Sequence, residues 1–315
     1  MVLNQSLSLP ETHSDRTRRL LEQSFLPRLT PNTRRAYARD IDDFSAWLGV
    51  PDSASGAALL LASDAGGAND LVLRWQTSLV ASGAKAATVA RKLAAVRSLV
   101  KAARLVGMIG WKIEVESPKV EPYRDTAGPG LDGVRRLLAA VRGAGPKARR
   151  DRAILHLLFD LALRRGEVAT LDLEHLDLDQ GRLSIKGKGR DERQWLTLPA
   201  STRHSLESWL EVRGLEPGPL FTNMDRARKG SGRLAPQSIY RIVHTLGQRA
   251  GLGDVRPHGL RHAAITEALD QGNDIRTVAR YSRHRNIQTL VIYDDNRQDL
   301  GGKVAAAVAA SIEGT

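Results

Sequence analysis

Apolar residues recur at helical spacing along most of this chain, and alternate in only one short region. Tyr37, Ile41, Phe44 and Leu48 fall at i, i+4, i+7 and i+11 behind Thr30-Pro31, which predicts a helix with threonine at N-cap and proline at its first position. Leu71, Trp75 and Leu79 make a second stripe ending at Gly83. Val89, Leu93, Val96 and Val100 make a third, over about Ala86–Val106. Residues 1–13 read as disordered and Ser14–Leu26 as a short basic helix. Residues 54–68, rich in Ser, Gly and Ala, suit a helix or a loop. Residues 112–130 carry Pro118, Pro122 and Pro129 with Gly128 and Gly130 and read as a linker, with a domain boundary near 120. Helices are predicted beyond it at about 131–141, 147–163, 201–213, 236–250, 258–272, 274–281, 287–293 and 302–311. Arg182–Ile185 and Gln194–Leu198 read as two strands of a hairpin whose tip, Lys186-Gly187-Lys188-Gly189-Arg190-Asp191-Glu192-Arg193, is glycine-rich and basic. The expected fold is mainly α with a small antiparallel sheet, divided into a tail at 1–22, a helical domain at 23–111, the linker at 112–130 and a second domain at 131–315.

Charge narrows the choice of partner. The 315 residues include 47 Lys and Arg against 35 Asp and Glu, a net charge of +12. A chain this basic is expected to meet a polyanion, and nucleic acid is the default. A membrane surface fits less well, because the charge is spread along the chain instead of being gathered on one amphipathic helix. With 0 Cys there is no disulfide, thiolate metal site or Cys nucleophile, which suits a reducing cytosol. No apolar run approaches membrane-spanning length, and residues 1–14 lack the apolar stretch of a signal peptide. Arg34 and Arg35 lie off the first apolar stripe. Arg97, Lys101 and Arg104 share one face of the 86–106 helix. Such a row is either a solvated face or a run of phosphate contacts, and the basic balance of the chain favours contacts.

The unusual chemistry is concentrated near the end of the chain. Arg256-Pro257-His258-Gly259-Leu260-Arg261-His262 is followed by Ser282-Arg283-His284-Arg285 and Ile292-Tyr293. Packing needs no such set, whereas a phosphodiester does. Two guanidiniums clamp its non-bridging oxygens, imidazoles donate to them, and a phenol attacks phosphorus. His258 and Arg261, at i and i+3, share a helix face and suit joint action on one phosphate. His258 and His262 have the i, i+4 spacing of a zinc pair, but no Glu follows the first His and an Arg stands between them, so no metal is expected.

These motifs together resemble the tyrosine recombinase, or phage integrase, family of the Xer-like bacterial kind. Leu163-Arg164-Arg165-Gly166-Glu167-Val168 resembles the first arginine box, and Gly187-Lys188-Gly189 the catalytic-lysine turn. Pro257 to His262 resembles the His-x-x-Arg box, and His284 with Tyr293 nine residues later resembles the last histidine and the nucleophile. The first half is similar to the family's helical core-binding domain, and the likeness spans about residues 25–298. Two positions depart from the pattern: Gly166 where the family often has Ser, and Arg283 where it usually has Gly.

The resemblance implies a two-domain DNA clamp, a core-binding domain plus a catalytic domain, in the bacterial cytoplasm at the nucleoid. It implies double-stranded DNA as partner, no cofactor, no membrane, and a homo-tetramer on two DNA sites exchanging strands through a Holliday junction. Tyr293 is the expected nucleophile and Tyr281 its rival. Arg164 and Arg261 hold the phosphate, and His258 and His284 assist. Lys188, with Lys186 as the alternative, protonates the leaving oxygen, and Glu167 orients an active-site Arg or His. A topoisomerase IB-like enzyme that only relaxes DNA, or a silent DNA binder on the same fold, shares these features.

Overall fold

The computed structural model describes residues 12–120, 128–187, 192–224, 232–284, 286–294 and 300–313. The chain divides into two compact units, Met1–Glu121 and Pro122–Thr315.

The first unit is helical. α1 (His13–Arg19) is capped by Thr12, whose hydroxyl accepts from the Asp15 amide at 3.1 Å. It runs straight into a π-helical turn, Leu20–Phe25. The wider turn gathers Leu20, Leu21 and Phe25 on one side, all buried in the core. The segment up to 22, expected as a tail, is therefore part of this unit from residue 13 onward. α2 (Pro31–Trp47) begins where Thr30-Pro31 predicts, but the Thr30 hydroxyl faces that of Thr33 at 2.9 Å instead of capping the backbone. The 54–68 segment is helical on both sides of a short break, in α3 (Ser53–Ala62) and α4 (Ala65–Ala81). Asp52 and Asp64 decide this: each accepts from the amide three residues on, at 2.7 Å. A Cβ on Gly56 would lie 2.0 Å from Ser45 Oγ, so α3 packs on α2 at a distance only glycine permits. α5 (Ala86–Leu105) completes the unit around Phe44 and Trp75, whose rings meet edge to face at 4.9 Å.

Part of the expected linker is bound to this unit. Asn69 Oδ1 accepts from the Glu114 amide at 2.7 Å, Gln76 donates to the Glu116 carbonyl at 3.0 Å, and Ile113 is buried. Residues 121–127 lie outside the described ones.

The second unit packs α6 (Gly130–Ala139), α7 (Pro146–Phe159), α9 (Ala200–Arg213), α10 (Pro236–Arg249) and α11 (Pro257–Asp270) around Leu137, Ile154, Leu158, Trp209 and Leu260. A short α8 (Arg165–Ala169) follows α7 after a turn. The sheet has three antiparallel strands in the order β1 (Leu176–Asp177), β2 (Arg182–Lys186), β3 (Arg193–Thr197). At two residues, β1 is too short to show alternation in sequence. β2 turns Leu183 and Ile185 into the core. α12 (Ile275–Ser282) and α13 (Gln288–Asp294) close on α11 through a small cluster of Ile265, Leu269, Val278, Ala279 and Leu290. α14 (Leu300–Glu313) exposes Val308 and Ile312. A Cβ on Gly128 would fall 2.1 Å from the Gly259 carbonyl, so glycine brings the chain entering α6 hard against the first turn of α11. No described helix is long and apolar enough to cross a membrane.

Candidate active site

The site is built on the end of α7. The apolar stripe predicts a helix reaching 163, but α7 stops at Phe159 because Ala162 is left-handed, with φ 45°. A helix end leaves its last carbonyls without intrahelical donors and carries partial negative charge. Here three side chains from later in the chain supply the donors. Tyr281 Oη shares its one proton between the carbonyls of Phe159 and Asp160, at 3.0 and 3.1 Å. Arg283 donates to the Leu161 carbonyl at 3.0 Å and to that of Ala162 at 2.8 Å. Arg261 donates to Ala162 as well.

Leaving this turn, Arg164 stands at the N-cap of α8. Glu167, buried in the first turn, reaches back to the Arg164 amide at 2.8 Å and to its Nη1 at 2.8 Å. That exchange fixes the arginine's stem while leaving its side chain 30% exposed. The neighbouring Gly166 has open space where a Cβ would stand, so the serine common in the family would fit there.

Arg261 is only 1% exposed. One turn into α11, its guanidinium bridges the Ala162 and Ser282 carbonyls and lies 3.4 Å from His284 Nε2. Ser282 Oγ has one proton, which it donates to the Val278 carbonyl at 2.7 Å, so its 2.8 Å contact with His284 Nδ1 requires that nitrogen to carry the hydrogen. His284 is thus held as the Nδ1–H tautomer, with Nε2 turned to Arg261. His258 and His262 meet edge to face, with ring centroids 4.4 Å apart.

All three imidazoles are held neutral. Burial comes first for each, and the nearby cations add to it. It takes His262 down to about 3 and His284 to about 4, and lowers His258, beside Arg261 and Arg164. Burial also raises the Tyr281 phenol to about 12, and its hydroxyl is committed to two carbonyls. That geometry makes Tyr281 a bolt between α12 and α7.

A concavity of about 390 Å³ opens in front of Arg164, lined also by Arg165, Gly166, Tyr240, Arg256, His258 and Arg261. Four of its lining residues are arginines and none is a carboxylate. Glu167 sits behind Arg164, and the Asp254 that pairs with Arg256 lies outside the rim. Such a hollow suits an anion with several oxygens. Among the described residues no three His, Asp or Glu gather as a metal site.

Two expected members fall partly or wholly outside the described structure. Lys188 lies outside the described residues, while its rival Lys186 ends β2, exposed and in register with Arg193. Tyr293 belongs to α13, and its side chain is likewise outside the description. The arrangement brings together Arg164, Glu167, His258, Arg261 and His284. It also shows further contributors: Ala162, Ser282 and Arg283 behind the site, and Arg165, Tyr240 and Arg256 in front. Of these, Ala162 and Tyr240 lie outside the stretches singled out in sequence, while Arg283 stood out as a departure from a familiar glycine.

The proposed DNA-facing residues of the first unit differ in their freedom. Arg34 donates to the carbonyls of Leu26 and Pro27 at 3.0 and 2.6 Å, and Arg35 to Asn32 at 2.6 Å. Arg97 donates to Ser117 Oγ at 2.9 Å and to the Val115 carbonyl. Lys101 and Arg104 are exposed.

Comparison with known proteins gives this site its class. Residues 131–299 match the phage integrase family, and residues 27–106 match the family's N-terminal SAM-like domain. The chain belongs to the phage integrase family and is a tyrosine-type site-specific recombinase. Its relatives include tyrosine recombinase slr0733 of Synechocystis, 38% identical over 96% of this chain and 98% of that protein. Tyrosine recombinase XerC of a Mycobacterium is 30% identical over 83% and 87%. Among solved structures, XerH site-specific recombinase bound to palindromic difH substrate, a post-cleavage complex, superposes with TM-score 0.66 at 18% identity, over 87% of this chain and 79% of that one. The Tn1549 transposon integrase in complex with transposon right end DNA gives 0.67 at 13% identity, over 93% and 98%. At those identities the structural likeness speaks for the fold alone.

Proposed function

We propose that this recombinase cuts and rejoins duplex DNA through a 3′-phosphotyrosine intermediate formed by Tyr293, and exchanges strands through a Holliday junction as a homo-tetramer on two DNA sites. The observation that carries this reading is the carboxylate-free hollow in which Arg164, His258 and Arg261 converge, with His284 hydrogen-bonded behind them. The Tyr293 oxygen attacks phosphorus, the 5′-oxygen leaves with a proton, and the guanidiniums of Arg164 and Arg261 offset the charge of the pentacoordinate state. Because the new phosphodiester retains the energy of the old, rejoining by the reverse attack needs no cofactor. Neutral His258 is suited to accept the phenol's proton or donate to a phosphate oxygen. The structures of XerH and the Tn1549 integrase, each solved with DNA, support duplex DNA as the substrate. The exposed Val308 and Ile312 on α14 support a subunit interface.

The test is Tyr293→Phe. It is expected to bind its DNA site with near wild-type affinity and form no covalent adduct on a denaturing gel. Adduct that persists would remove Tyr293 from the role. The lysine is tested separately, with sulfur in place of the bridging 5′-oxygen. Lys188→Ala should cleave ordinary duplex about 10²–10⁴-fold more slowly and the 5′-thio duplex nearly as fast as wild type, since a thiolate leaves without a proton. Sulfur rescue of Lys186→Ala instead would move the general acid to that residue.

A further inference from the structure

The two non-glycine residues with left-handed backbone among those described are Ala162 and Arg283. They are 121 positions apart in sequence and joined by a hydrogen bond, Arg283 Nη2 to the Ala162 carbonyl at 2.8 Å. A left-handed conformation is unfavourable for a side-chain-bearing residue, which is why glycine is the ordinary choice at a helix end like that of α12. Arg283 sits there at φ 57°, ψ 38° as the C-cap of α12. An arginine at such a position would ordinarily extend into solvent. This one is folded inward and only 7% exposed.

Its guanidinium has four acceptors. Nη1 donates to the carbonyls of Leu161 at 3.0 Å and Tyr281 at 2.9 Å. Nη2 donates to Ala162 at 2.8 Å and approaches Glu167 Oε2 at 3.4 Å. Its Nε has no hydrogen-bond partner among the described residues. A strained backbone and a buried donor left open are both unfavourable, so the contacts that hold the residue must outweigh them. Two of those contacts, to Ala162 and Glu167, fall on the parts that aim the two phosphate-facing arginines. The Ala162 carbonyl also receives Arg261, and Glu167 also receives the amide and guanidinium of Arg164.

We propose that Arg283 is a positioning residue for strand cleavage: from the end of α12 it clamps the Leu161–Ala162 turn and Glu167 together, and so sets the direction of Arg164 and Arg261 toward the phosphate. Arg283 is not itself among the residues lining the hollow. The inference rests on the reading of Arg164 as a phosphate clamp. It differs from a simple packing role in what should fail when Arg283 is removed, namely the handling of phosphate charge.

Arg283→Gly is the informative variant, because glycine adopts this backbone freely and the fold keeps its turn. It is expected to melt within a few degrees of wild type and to bind duplex with unchanged affinity. Single-turnover cleavage of the bound, ordinary duplex should slow by about 10- to 100-fold, the loss typical of a small misplacement at a reacting centre. The same assay is then run on a duplex with a methylphosphonate at the scissile position, which lacks one non-bridging charge. There the defect should shrink to about threefold or less, since less charge needs offsetting. Arg164→Ala serves as the control and should show the same rescue. If Arg283→Gly cleaves ordinary duplex at the wild-type rate, or is slowed equally on both duplexes while Arg164→Ala is rescued, Arg283 has only a packing role and the proposal is overturned. If the methylphosphonate does not rescue Arg164→Ala, the clamp reading itself fails and the proposal falls with it.

Discussion

The first unit pairs its buried charges with counter-ions, as the second does at Arg150–Asp151, but the arginines of the second unit's site are held differently. In the first unit each buried charge has its own counter-ion. Asp40, fully buried on α2, pairs with Arg91 of α5, and Lys92 of α5 pairs with Asp43. Burial raises the Asp40 carboxyl, opposed by Arg91, and its Oδ1 has no hydrogen-bond partner among the described residues. In the second unit, Arg261 and Arg283 are held mainly by backbone carbonyls, and a single carboxylate, Glu167, serves both Arg164 and Arg283. A carbonyl orients a guanidinium without cancelling its charge. The first arrangement locks two helices together and leaves little net field. The second keeps several positive charges close together, without equal negative charge, around a hollow. This is a destabilising arrangement in the free protein, and one that an anionic phosphate relieves.

Exchanging the two kinds of arginine is the strongest way to break this comparison. Arg164→Ala should slow cleavage of bound duplex by about 10²–10³-fold, the loss expected when one donor to a developing charge is removed. Its melting temperature should change little, because the buried Glu167 carboxylate keeps the Arg164 amide and Arg283 as partners. Arg91→Ala should do the reverse. It leaves the Asp40 carboxylate buried without its partner and should lower stability by about 1–3 kcal/mol, less than for a fully buried pair because Arg91 is half exposed. The cleavage rate per folded molecule should hold. Urea unfolding and single-turnover assays on both variants read this out, and a loss of rate in Arg91→Ala matching that in Arg164→Ala would erase the distinction.

Acid sharpens it next. His262 and His284 titrate at about 3 and about 4 in the folded protein, below the ordinary imidazole value of 6.5. Below about pH 6.5 the unfolded chain takes up protons that the folded site refuses, so stability is full above that pH and declines as pH falls toward 4 and then 3. In His262→Gln the decline between pH 6.5 and 4 should be shallower by about one proton. Equal slopes for variant and wild type would mean that His262 is not held neutral by its surroundings of His258, Arg261 and His284.

The smallest effect concerns the first unit's surface. If its exposed cations, unlike its paired ones, meet DNA phosphates, Lys101→Ala and Arg104→Ala should each make the log affinity against log salt slope shallower by about one unit. Arg97→Ala should change that slope by less than about half as much, because its guanidinium is already given to Val115 and Ser117. An Arg97→Ala slope as shallow as that of Lys101→Ala would return Arg97 to the set of phosphate contacts.

Most helices were legible from periodicity and punctuation. Ala86–Leu105 has its apolar stripe and Gly107 after it, and Pro236 and Pro257 mark the starts of α10 and α11. Less legible were the elements that depend on distant partners. The π-helical turn at Leu20–Phe25 is set by the core it fills, and β1 exists only because Leu183 and Arg182 offer it a ladder. The same division runs through the site. Arg164, His258, Arg261 and His284 were visible as residue types at characteristic spacing, because reaction chemistry restricts which side chains can serve. Their support was not visible.

The sequence by itself determined a basic, mainly helical, two-unit recombinase, since periodicity, net charge and a spaced set of Arg, His and Tyr are local or additive properties. Only the tertiary structure decided how the set is aimed. Ala162 turns left-handed and offers its carbonyl to two arginines from more than ninety-eight residues away. Arg283 turns inward where a glycine was expected. Tyr281 is spent on the end of α7. Each outcome depends on carbonyls at and just beyond a helix terminus meeting donors far along the chain. That is a matter of distance in space, and no spacing along the sequence encodes it.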